Sequence, residues 1–421
     1  MPWKECHIVE ERLRFIARLL DGEKMAGLCR EFGIARKTGY KIYNRYKNCG
    51  IDGLTDRSRR PYRHANQLPM LIEKLIVKLK KEYPHWGAPK IRARLRKRYP
   101  DVHCPAISTV HAVLDRHGLV KRRKRRRHKA QGTALSHVTD PNELWCADYK
   151  GEFMLTDRRY CFPLTITDFA SRFLITCDAL STTKEVYAFS VFERAFKDFG
   201  LPRAIRTDNG VPFSCCNALY GLSKLSVWWL RLGIGIERIK PGHPEQNGRH
   251  ERMHLTLKNE TTRPASDNFL QQQARFDDFI DCFNNVRPHQ ALHMDVPANL
   301  YTASPRPYTG LREIDYPFHD WSAIVTTCGR ICYKGRKINL STVFAGQKVG
   351  IKQVSDNIWL VSFMQYDLGY FDHEICRLEP IENPFSPKVL PMCPEYSVTH
   401  VSRMDPRQPV AEGRARRVRA P

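Results

Sequence analysis

The chain has 421 residues, which is long enough for two to four domains, and its 69 Lys and Arg residues against 44 Asp and Glu residues give a net charge of +25. This excess favours a polyanionic partner, nucleic acid rather than a membrane, because the sequence has no run of about 18 apolar residues. The N-terminus lacks a signal-peptide pattern and the 14 Cys residues form no CxxC pair. We therefore expect a cytoplasmic protein with reduced thiols and no structural zinc.

Three short amphipathic helices are predicted near the N-terminus, over residues 6–20, 24–32 and 35–48. A turn containing Gly33 joins the second helix to the third, which indicates a helix-turn-helix DNA-binding domain over residues 1–60. A generic three-helix bundle with a basic face is the alternative. The third helix would present basic side chains to the DNA major groove, namely Arg36, Lys37, Lys41 and Arg45.

A second helical module is predicted over residues 61–120, with helices at 68–83, 87–98 and 108–117. Ser108 and Thr109 are candidates for the N-cap of its last helix. The pattern is typical of a second helix-turn-helix or winged-helix-like domain, and two such modules in tandem suit a long DNA site.

A basic linker is predicted over residues 121–141. Residues 121–129 are all Lys or Arg except His128, so this stretch cannot be buried, and we expect it to lie along DNA phosphates. A solubilising tract without a specific role is the alternative. The predicted DNA-binding side chains here are Arg122, Arg123, Arg125 and Arg126.

The pattern changes at Asn142, where a mixed α/β domain is predicted over residues 142–305. Three strands that we expect to be antiparallel come first, at 144–147, 160–167 and 172–179. Helices and strands then alternate, with helices at 184–199 and 217–231 and strands at 203–206 and 235–239.

Two carboxylates follow strands of this domain and a third lies on a helix. Asp148 and Asp208 each come directly after a strand, and Glu251 begins a helix after a loop rich in Pro and Gly. Neighbouring strands lie about 4.8 Å apart, so their ends can hold carboxylates at metal-bridging distance. We expect three acids with no His or Cys ligands, a set that suits Mg²⁺ or Mn²⁺. Two such ions, about 3.5–4 Å apart, could promote attack of water or a 3′-hydroxyl on a phosphodiester.

Other acids compete for these positions. Glu245 and Glu237 are the alternatives to Glu251, but neither is followed by a Lys one heptad later. Asp168 and Asp157 are the alternatives to Asp148, and Asp168 fits better as a turn residue.

Three short segments around these acids, residues 145–148, 207–210 and 244–258, resemble the signatures of the integrase catalytic core. That core has a ribonuclease-H-like fold and defines the DDE class of retroviral integrases and bacterial insertion-sequence transposases. The segment 284–292 resembles the Y-N-x-x-R-P-H-x-x-L segment of bacterial transposases, and the nearest group is the four-eighty-one insertion-sequence type. The resemblance makes Asp148, Asp208 and Glu251 the metal-binding catalytic acids. It also implies that four further residues contact DNA, namely Asn209, Gln246, Asn247 and Lys258.

Two features depart from the resembled class. The spacing from Asp208 to Glu251 is 251 − 208 = 43 residues, longer than the usual mid-thirties, and the additional residues fall within 214–234. The N-terminal His-His-Cys-Cys zinc module of retroviral integrases has no counterpart in the spacing of His and Cys here.

A Pro-rich connector at 297–307 precedes six short predicted strands between residues 322 and 380. Strands of this spacing predict a small SH3-like β-barrel over residues 306–382 with a basic face. The last segment, residues 383–421, is predicted to be a disordered basic tail.

The whole pattern predicts a DNA transposase that binds terminal inverted repeats and catalyses metal-dependent strand cleavage and strand transfer. We expect a homo-oligomer, a dimer or larger, on element ends and target DNA, because two ends must be joined to one target. The first alternative is a sequence-specific DNA-binding regulator derived from a transposase. The second is a ribonuclease H or nuclease on the same fold.

Overall fold

The structure is a computed structural model that describes residues 7–56, 68–120, 135–136, 138–372 and 374–386. Its contacts divide the chain into two compact units, with the division between Pro69 and Met70. The predicted DNA-binding residues of the linker, Arg122 to Arg126, and residues 387–421 of the predicted tail lie outside the described residues. Within the described part, no helix is long and apolar enough to cross a membrane.

The first unit contains three helices, α1 (Ile8–Leu20), α2 (Met25–Glu31) and α3 (Arg36–Cys49), close to the predicted positions. A 3-10 turn (Gly50–Leu54) follows. The apolar sides of the helices meet in a core that includes Phe15, Ile16 and Leu28. Gly39 allows α3 to approach α2 closely, because a Cβ there would lie 2.6 Å from Cys29 Sγ.

The second unit begins with α4 (Met70–Glu82), α5 (Ala88–Arg98) and α6 (Ile107–Arg116). These helices match the predicted second module, and their buried positions include Ile76, Ile91 and Val110. The predicted N-cap is wrong. Helix α6 begins at Ile107, so Ser108 and Thr109 lie inside it, and the preceding Ala106 has no side chain that could cap it.

A mixed sheet forms the centre of the second unit. The sheet has six strands: β1 (Leu144–Tyr149), β2 (Phe153–Met154), β3 (Tyr160–Asp168), β4 (Leu174–Leu180), β5 (Ala204–Thr207) and β6 (Gly235–Arg238). β1 is antiparallel to β3 and parallel to β5, and β5 is parallel to β6. β2 and β4 also pair with β3. The predicted antiparallel relation of the first three long strands is thus present, and the short β2 was not predicted.

Four helices cover the two faces of this sheet: α7 (Glu185–Phe199), α8 (Lys224–Arg231), α9 (Gly248–Thr261) and α10 (Phe269–Asp281). Trp145 and Ala147 of β1 pack with residues of α7 and α8. Side chains alternate along a strand, so Cys146 and Asp148 point to the opposite face, where α9 and α10 lie. This is the mixed α/β core that the sequence predicted.

Helix α8 begins later than the predicted residue 217. Residues 219–221 form a 3-10 turn in which Tyr220 has a left-handed backbone (φ 55°), and this conformation cannot continue a helix. Ser223 then caps α8 by a capping box with Ser226.

The C-terminal part of the second unit has seven strands: β7 (Trp321–Ile324), β8 (Arg330–Tyr333), β9 (Arg336–Asn339), β10 (Lys348–Ser355), β11 (Ile358–Phe363), β12 (Tyr366–Asp372) and β13 (Leu378–Pro380). Five of them form an antiparallel sheet in the order β13-β12-β11-β10-β7, and β8 and β9 form a separate hairpin. Strand β12 was not predicted.

The expected SH3-like barrel is not found, because the described residues form no closed barrel. The β8–β9 hairpin pairs with itself around Lys334 and Gly335, which both have positive φ. It packs against the five-stranded sheet through a shared apolar core, and a single bridge, Asn339 to Arg377, connects their backbones. Among the described strands, the edge strands β7 and β13 are not paired with each other.

The capping box of α8 gives a test of this fold. Replacing Ser223 by Ala removes the acceptor of the Ser226 N–H at 3.1 Å and should lower the free energy of unfolding by about 1 kcal/mol. Urea denaturation of the full chain measures the change. Ser190→Ala, on the exposed side of α7, is the matched control, and we expect a change within about 0.5 kcal/mol. Equal losses for the two variants would contradict the assigned cap.

Candidate active site

Asp148 and Asp208 lie at the same edge of the central sheet. Cys146 of β1 pairs with Arg206 of the parallel strand β5. Asp148 lies two residues after Cys146, and Asp208 lies two residues after Arg206. The two acids therefore occupy equivalent positions at the carboxyl ends of neighbouring strands. The sequence-predicted pair is therefore brought together by the strand register.

The charge of Glu251 acts on Asp148. Burial raises the pKa of Asp148 to about 7, and the negative charges of Asp208 and Glu251 contribute to this rise. Burial also raises the pKa of Asp208, although the Gly210 N–H donates to its Oδ1 at 3.2 Å. Asp148 therefore feels the charges of both other predicted acids, although among the described residues the three carboxylates do not form a cluster with ligand atoms within 4.8 Å of one another.

Glu251 lies in the first turn of α9 and is exposed to solvent. Lys258 is also exposed, two turns further along the same helix. Its positive charge acts on Lys150, which in turn interacts with Asp148 and Glu251. The predicted Lys258 therefore lies beside the acids, as its spacing from Glu251 implies.

Lys150 is a site residue that the sequence reasoning missed. It follows β1 directly, and burial together with the positive charge of Lys258 lowers the pKa of Lys150. The signal was present, because side chains two residues apart along a strand point the same way and Lys150 lies two residues after Asp148.

A buried hydrogen-bond network attaches α9 to β3 behind the acids. Thr165 Oγ1 lies 2.8 Å from His250 Nε2 and 2.7 Å from His254 Nε2, and it donates to the Asp148 carbonyl oxygen at 3.0 Å. Thr167 Oγ1 lies 2.8 Å from His250 Nδ1. Burial lowers the pKa of His250 to about 3 and also lowers the pKa of His254, so both rings are neutral.

The same network limits which atoms can hold a metal. Ligand atoms of Asp148, His250 and His254 all lie within 4.8 Å of one another. Both ring nitrogens of His250 are hydrogen-bonded to Thr165 and Thr167, so His250 is not free to bind a cation. His254 Nδ1 instead faces Asp148 Oδ2 at 3.7 Å. A cation at Asp148 would therefore meet carboxylate oxygens and at most this one imidazole nitrogen.

The competing acids are bound to other partners. Each forms an ion pair or hydrogen bond away from the cluster: Glu245 with His243, Glu237 with Arg206, Asp157 with Arg159, and Asp168 with Asn142 and Ser171. Their placement agrees with the preference for Asp148 and Glu251 over these residues.

The predicted polar loop residues form hydrogen bonds within the protein or are buried in it. The Asn209 side-chain amide donates to the Ile239 carbonyl oxygen at 2.8 Å and so links the turn after β5 to the end of β6. Gln246 is buried and accepts from the Lys240 N–H at 2.8 Å, and Asn247 is buried beside it. Their contacts with DNA stay a prediction.

The predicted DNA-reading residues of the first unit all lie on α3. Arg36, Lys37 and Lys41 are exposed and Arg45 is half-buried. Among the described residues none of the four forms an ion pair with a carboxylate. This face is thus positively charged and open to a polyanion.

Comparison with known families agrees with this architecture. Residues 11–62 match a Helix-turn-helix domain family and residues 38–114 match a Homeodomain-like domain family. Two Integrase core domain families match residues 138–244 and 232–297. The second pair of matches covers the three acids.

Curated relatives come from bacterial insertion elements. An uncharacterized 39.2 kDa protein of insertion element IS476 from Xanthomonas euvesicatoria is 24% identical over 286 residues, covering 67% of this chain and 79% of the relative. An uncharacterized 31.7 kDa protein of insertion element IS407 from Burkholderia multivorans is 25% identical over 211 residues, covering 45% of this chain and 73% of the relative.

Solved structures with low overall similarity include two retroviral proteins. The HTLV-2 integrase catalytic core domain in complex with magnesium has a TM-score of 0.31 at 15% identity, covering 39% of this chain and 98% of that one. A simian T-cell lymphotropic virus intasome in complex with a PP2A regulatory subunit has a TM-score of 0.36 at 17% identity, covering 69% of this chain and 97% of that one.

The raised pKa of Asp148 predicts a pH dependence of stability in the absence of divalent cations. Between the unfolded pKa, about 4, and the folded pKa of about 7, the unfolded chain releases this proton while the folded protein keeps it. Stability from this group is therefore complete below about pH 4 and is lost as the pH rises to 7. Asp148→Asn should remove this part of the slope when melting temperatures are measured in EDTA. Identical slopes for the variant and the wild type would contradict the assigned burial and repulsion.

The threonine–histidine network predicts a specific effect of Thr165→Val. This near-isosteric change leaves two buried imidazole nitrogens without their partner, so we expect a loss of about 1–3 kcal/mol in the free energy of unfolding. Thr165→Ser keeps the hydroxyl and is the matched control in the same urea denaturation. A serine variant as unstable as the valine variant would show that the methyl group, and not the hydrogen bonds, stabilises the site.

Proposed function

We propose that this chain, an insertion-element transposase of the DDE class with helix-turn-helix and integrase-core segments, binds the terminal inverted repeats of its element and catalyses metal-dependent cleavage and transfer of DNA strands. The observation that supports the proposal is that Asp148 and Asp208 occupy equivalent positions at one edge of the central sheet, where the charge of Glu251 also acts on Asp148. Lys150 and Lys258 beside them can bind the phosphates of a DNA strand.

The acids fit divalent cations such as Mg²⁺ or Mn²⁺, and we propose two ions per site. Carboxylate oxygens are the ligands that these hard cations prefer, and the mutual repulsion that raises the pKa of Asp148 would be relieved by a positive charge among them. When bound, such ions would stabilise the charge that develops on the attacking and leaving oxygens of a phosphodiester.

The residues of the chain itself hold this arrangement in place. Thr165 fixes His254 behind Asp148 and binds the Asp148 carbonyl, so that helix α9 keeps Glu251 opposite the strand ends. Lys258 and Lys150 would hold the phosphate on which the reaction occurs. We propose that Asn209, Gln246 and Asn247 act mainly by shaping the loops around that phosphate, with any contact to DNA made when the strand is bound.

Recognition of DNA is assigned to the helical modules. The exposed basic face of α3, with Arg36, Lys37 and Lys41, would lie in a major groove, and the basic residues 122–126 would follow the phosphates of the same end. Because two element ends must be joined to one target, we propose that the protein acts as a homo-oligomer, a dimer or larger, on DNA in the bacterial cytoplasm.

Substitution of the acids tests the proposed chemistry. Asp148→Asn, Asp208→Asn and Glu251→Gln should each lower strand transfer by more than about 100-fold, since even outer partners of metal ligands are worth about 10–100-fold. The measurement is Mg²⁺-dependent joining of a DNA end carrying the element's inverted repeat to a plasmid target. Binding to the end should change less than threefold, because the helical modules carry it.

Glu245→Gln is the matched control, since Glu245 lies six residues before Glu251 and is paired with His243. We expect it to retain strand transfer. Full activity of Glu251→Gln would overturn the assignment of the third acid. End binding by the wild type without any cleavage would instead favour a DNA-binding regulator, and cleavage of RNA in a hybrid without joined products would favour a ribonuclease.

A further inference from the structure

A cavity lies beside α9, on the flank away from Glu251. Its volume is about 300 Å³, within the range of small-ligand sites. Five basic side chains line it: Lys90, Arg172, Arg249, Arg252 and Arg287. We infer that this cavity, called here the phosphate pocket, binds a phosphate group.

The phosphate pocket has an excess of positive charge that the protein does not neutralise. The acid that lines it, Asp168, already accepts hydrogen bonds from the Asn142 N–H at 2.8 Å and from the Ser171 N–H and hydroxyl at 2.8 and 2.6 Å. Arg287 is paired with Glu260 at 2.6 Å. In the described part of the chain no carboxylate forms an ion pair with Lys90, Arg172 or Arg252.

Burial disfavours the positively charged forms of the side chains that line the pocket. Burial lowers the pKa of Lys90 to about 7, and the neighbouring charges of Arg287 and Arg252 add to this fall. Burial, followed by the charge of Arg249, likewise lowers the pKa of Arg172. Each of these groups would gain from an anion placed between them.

Two of the arginines are already fixed in position. The Arg249 guanidinium lies 3.9 Å from the centre of the Phe169 ring and donates to the Phe169 carbonyl oxygen at 3.0 Å. The Arg287 guanidinium is buried and lies 5.9 Å from the centre of the Trp86 ring. Stacking of this kind holds the planar donor groups ready for an oxyanion, so little side-chain freedom is lost on binding.

The pocket also gives a role to the segment 284–292, which the catalytic cluster does not use. Asn284 fixes this segment to β4, because its side chain bonds to both the N–H and the carbonyl oxygen of Leu174 at 2.9 Å. Arg287, His289 and Gln290 then line the pocket, facing Lys90 of α5. The site therefore joins the second helical module to the catalytic core.

The chemistry of the lining selects a phosphate. Several N–H donors converge from different directions on a polar space, which matches the tetrahedral oxygens of a phosphate monoester or diester. The group could come from a DNA backbone or from free phosphate. The DNA source rests on the proposed function, whereas binding of free phosphate does not.

The first experiment uses inorganic phosphate as the probe. The full chain is titrated calorimetrically at constant ionic strength, and Lys90→Gln and Arg172→Asn should each weaken binding about tenfold, the size of one charge-assisted hydrogen bond. Asparagine is chosen at position 172 because it tolerates the positive φ of 64° there. Lys97→Gln, on an exposed part of the same helix as Lys90, is the matched control and should bind as the wild type does.

The second experiment measures the affinity for duplex DNA between 50 and 300 mM salt. If the pocket holds a backbone phosphate, Lys90→Gln should reduce the slope of log affinity against log salt by about 0.9, whatever the DNA sequence. Lys90→Arg should restore the wild-type slope. Melting temperatures measured without phosphate verify that each variant is folded.

The outcomes separate the possible sources of the phosphate. A smaller DNA slope together with weaker phosphate binding supports a backbone phosphate in the pocket. Weaker phosphate binding with an unchanged slope supports a free phosphate as the ligand. Folded Lys90 and Arg172 variants that match the wild type in both measurements overturn the inference. Neither the calorimetry nor the DNA-binding measurement requires strand transfer. A wild-type protein without strand-transfer activity would contradict the proposed function, but the phosphate pocket could still be tested.

Discussion

The hydrogen bonds between helix α9 and strand β3 are the constraint on which the site depends. Thr165 and Thr167 hold His250 and His254 in a region where a charged imidazole would be unstable, and the neutral rings fill the space between helix and sheet. This fixes the rotation of α9 about its own axis. Since residues two positions apart on a helix differ by about 200°, the flank opposite the pocket carries Glu251 and the other flank carries Arg249. One docking interaction therefore sets the geometry of both the acidic cluster and the phosphate pocket.

The two flanks of α9 have opposite charge and share one energetic property. On one flank, burial and the negative charges of the other carboxylates raise the pKa of Asp148. On the other flank, burial and neighbouring positive charges lower the pKa of Lys90. Neither arrangement favours the folded chain on its own. In the proposed function, a DNA strand with its accompanying cations would supply both missing charges, positive at the acids and negative at the pocket.

What the sequence predicted well follows from local rules. Asp148 and Asp208 could be placed together because carboxyl ends of neighbouring parallel strands meet at one edge, although Asp148 lies inside β1 and not after it as predicted. The phosphate pocket could not be foreseen, because Lys90 and Arg287 are almost 200 residues apart and meet only through packing. The predicted SH3-like barrel is not confirmed for a related reason. Most of the strands could be predicted from alternation and turns, although β12 was missed, but closure depends on whether edge strands pair, and β8 and β9 pair with each other instead.

The long spacing between Asp208 and Glu251 also has a structural cause. The additional residues form the turn before α8, and their apolar side chains, Leu219 and Leu222 among them, enter the core of the C-terminal sheet. The Tyr220 hydroxyl donates to the Leu368 carbonyl oxygen at 2.6 Å, and buried Arg238 at the end of β6 donates to the Tyr220 carbonyl oxygen at 2.9 Å. Since β6 pairs with β5, whose end carries Asp208, the insertion connects the C-terminal sheet to the acidic edge through one continuous set of contacts. The extra length thus attaches the C-terminal sheet to the α/β core.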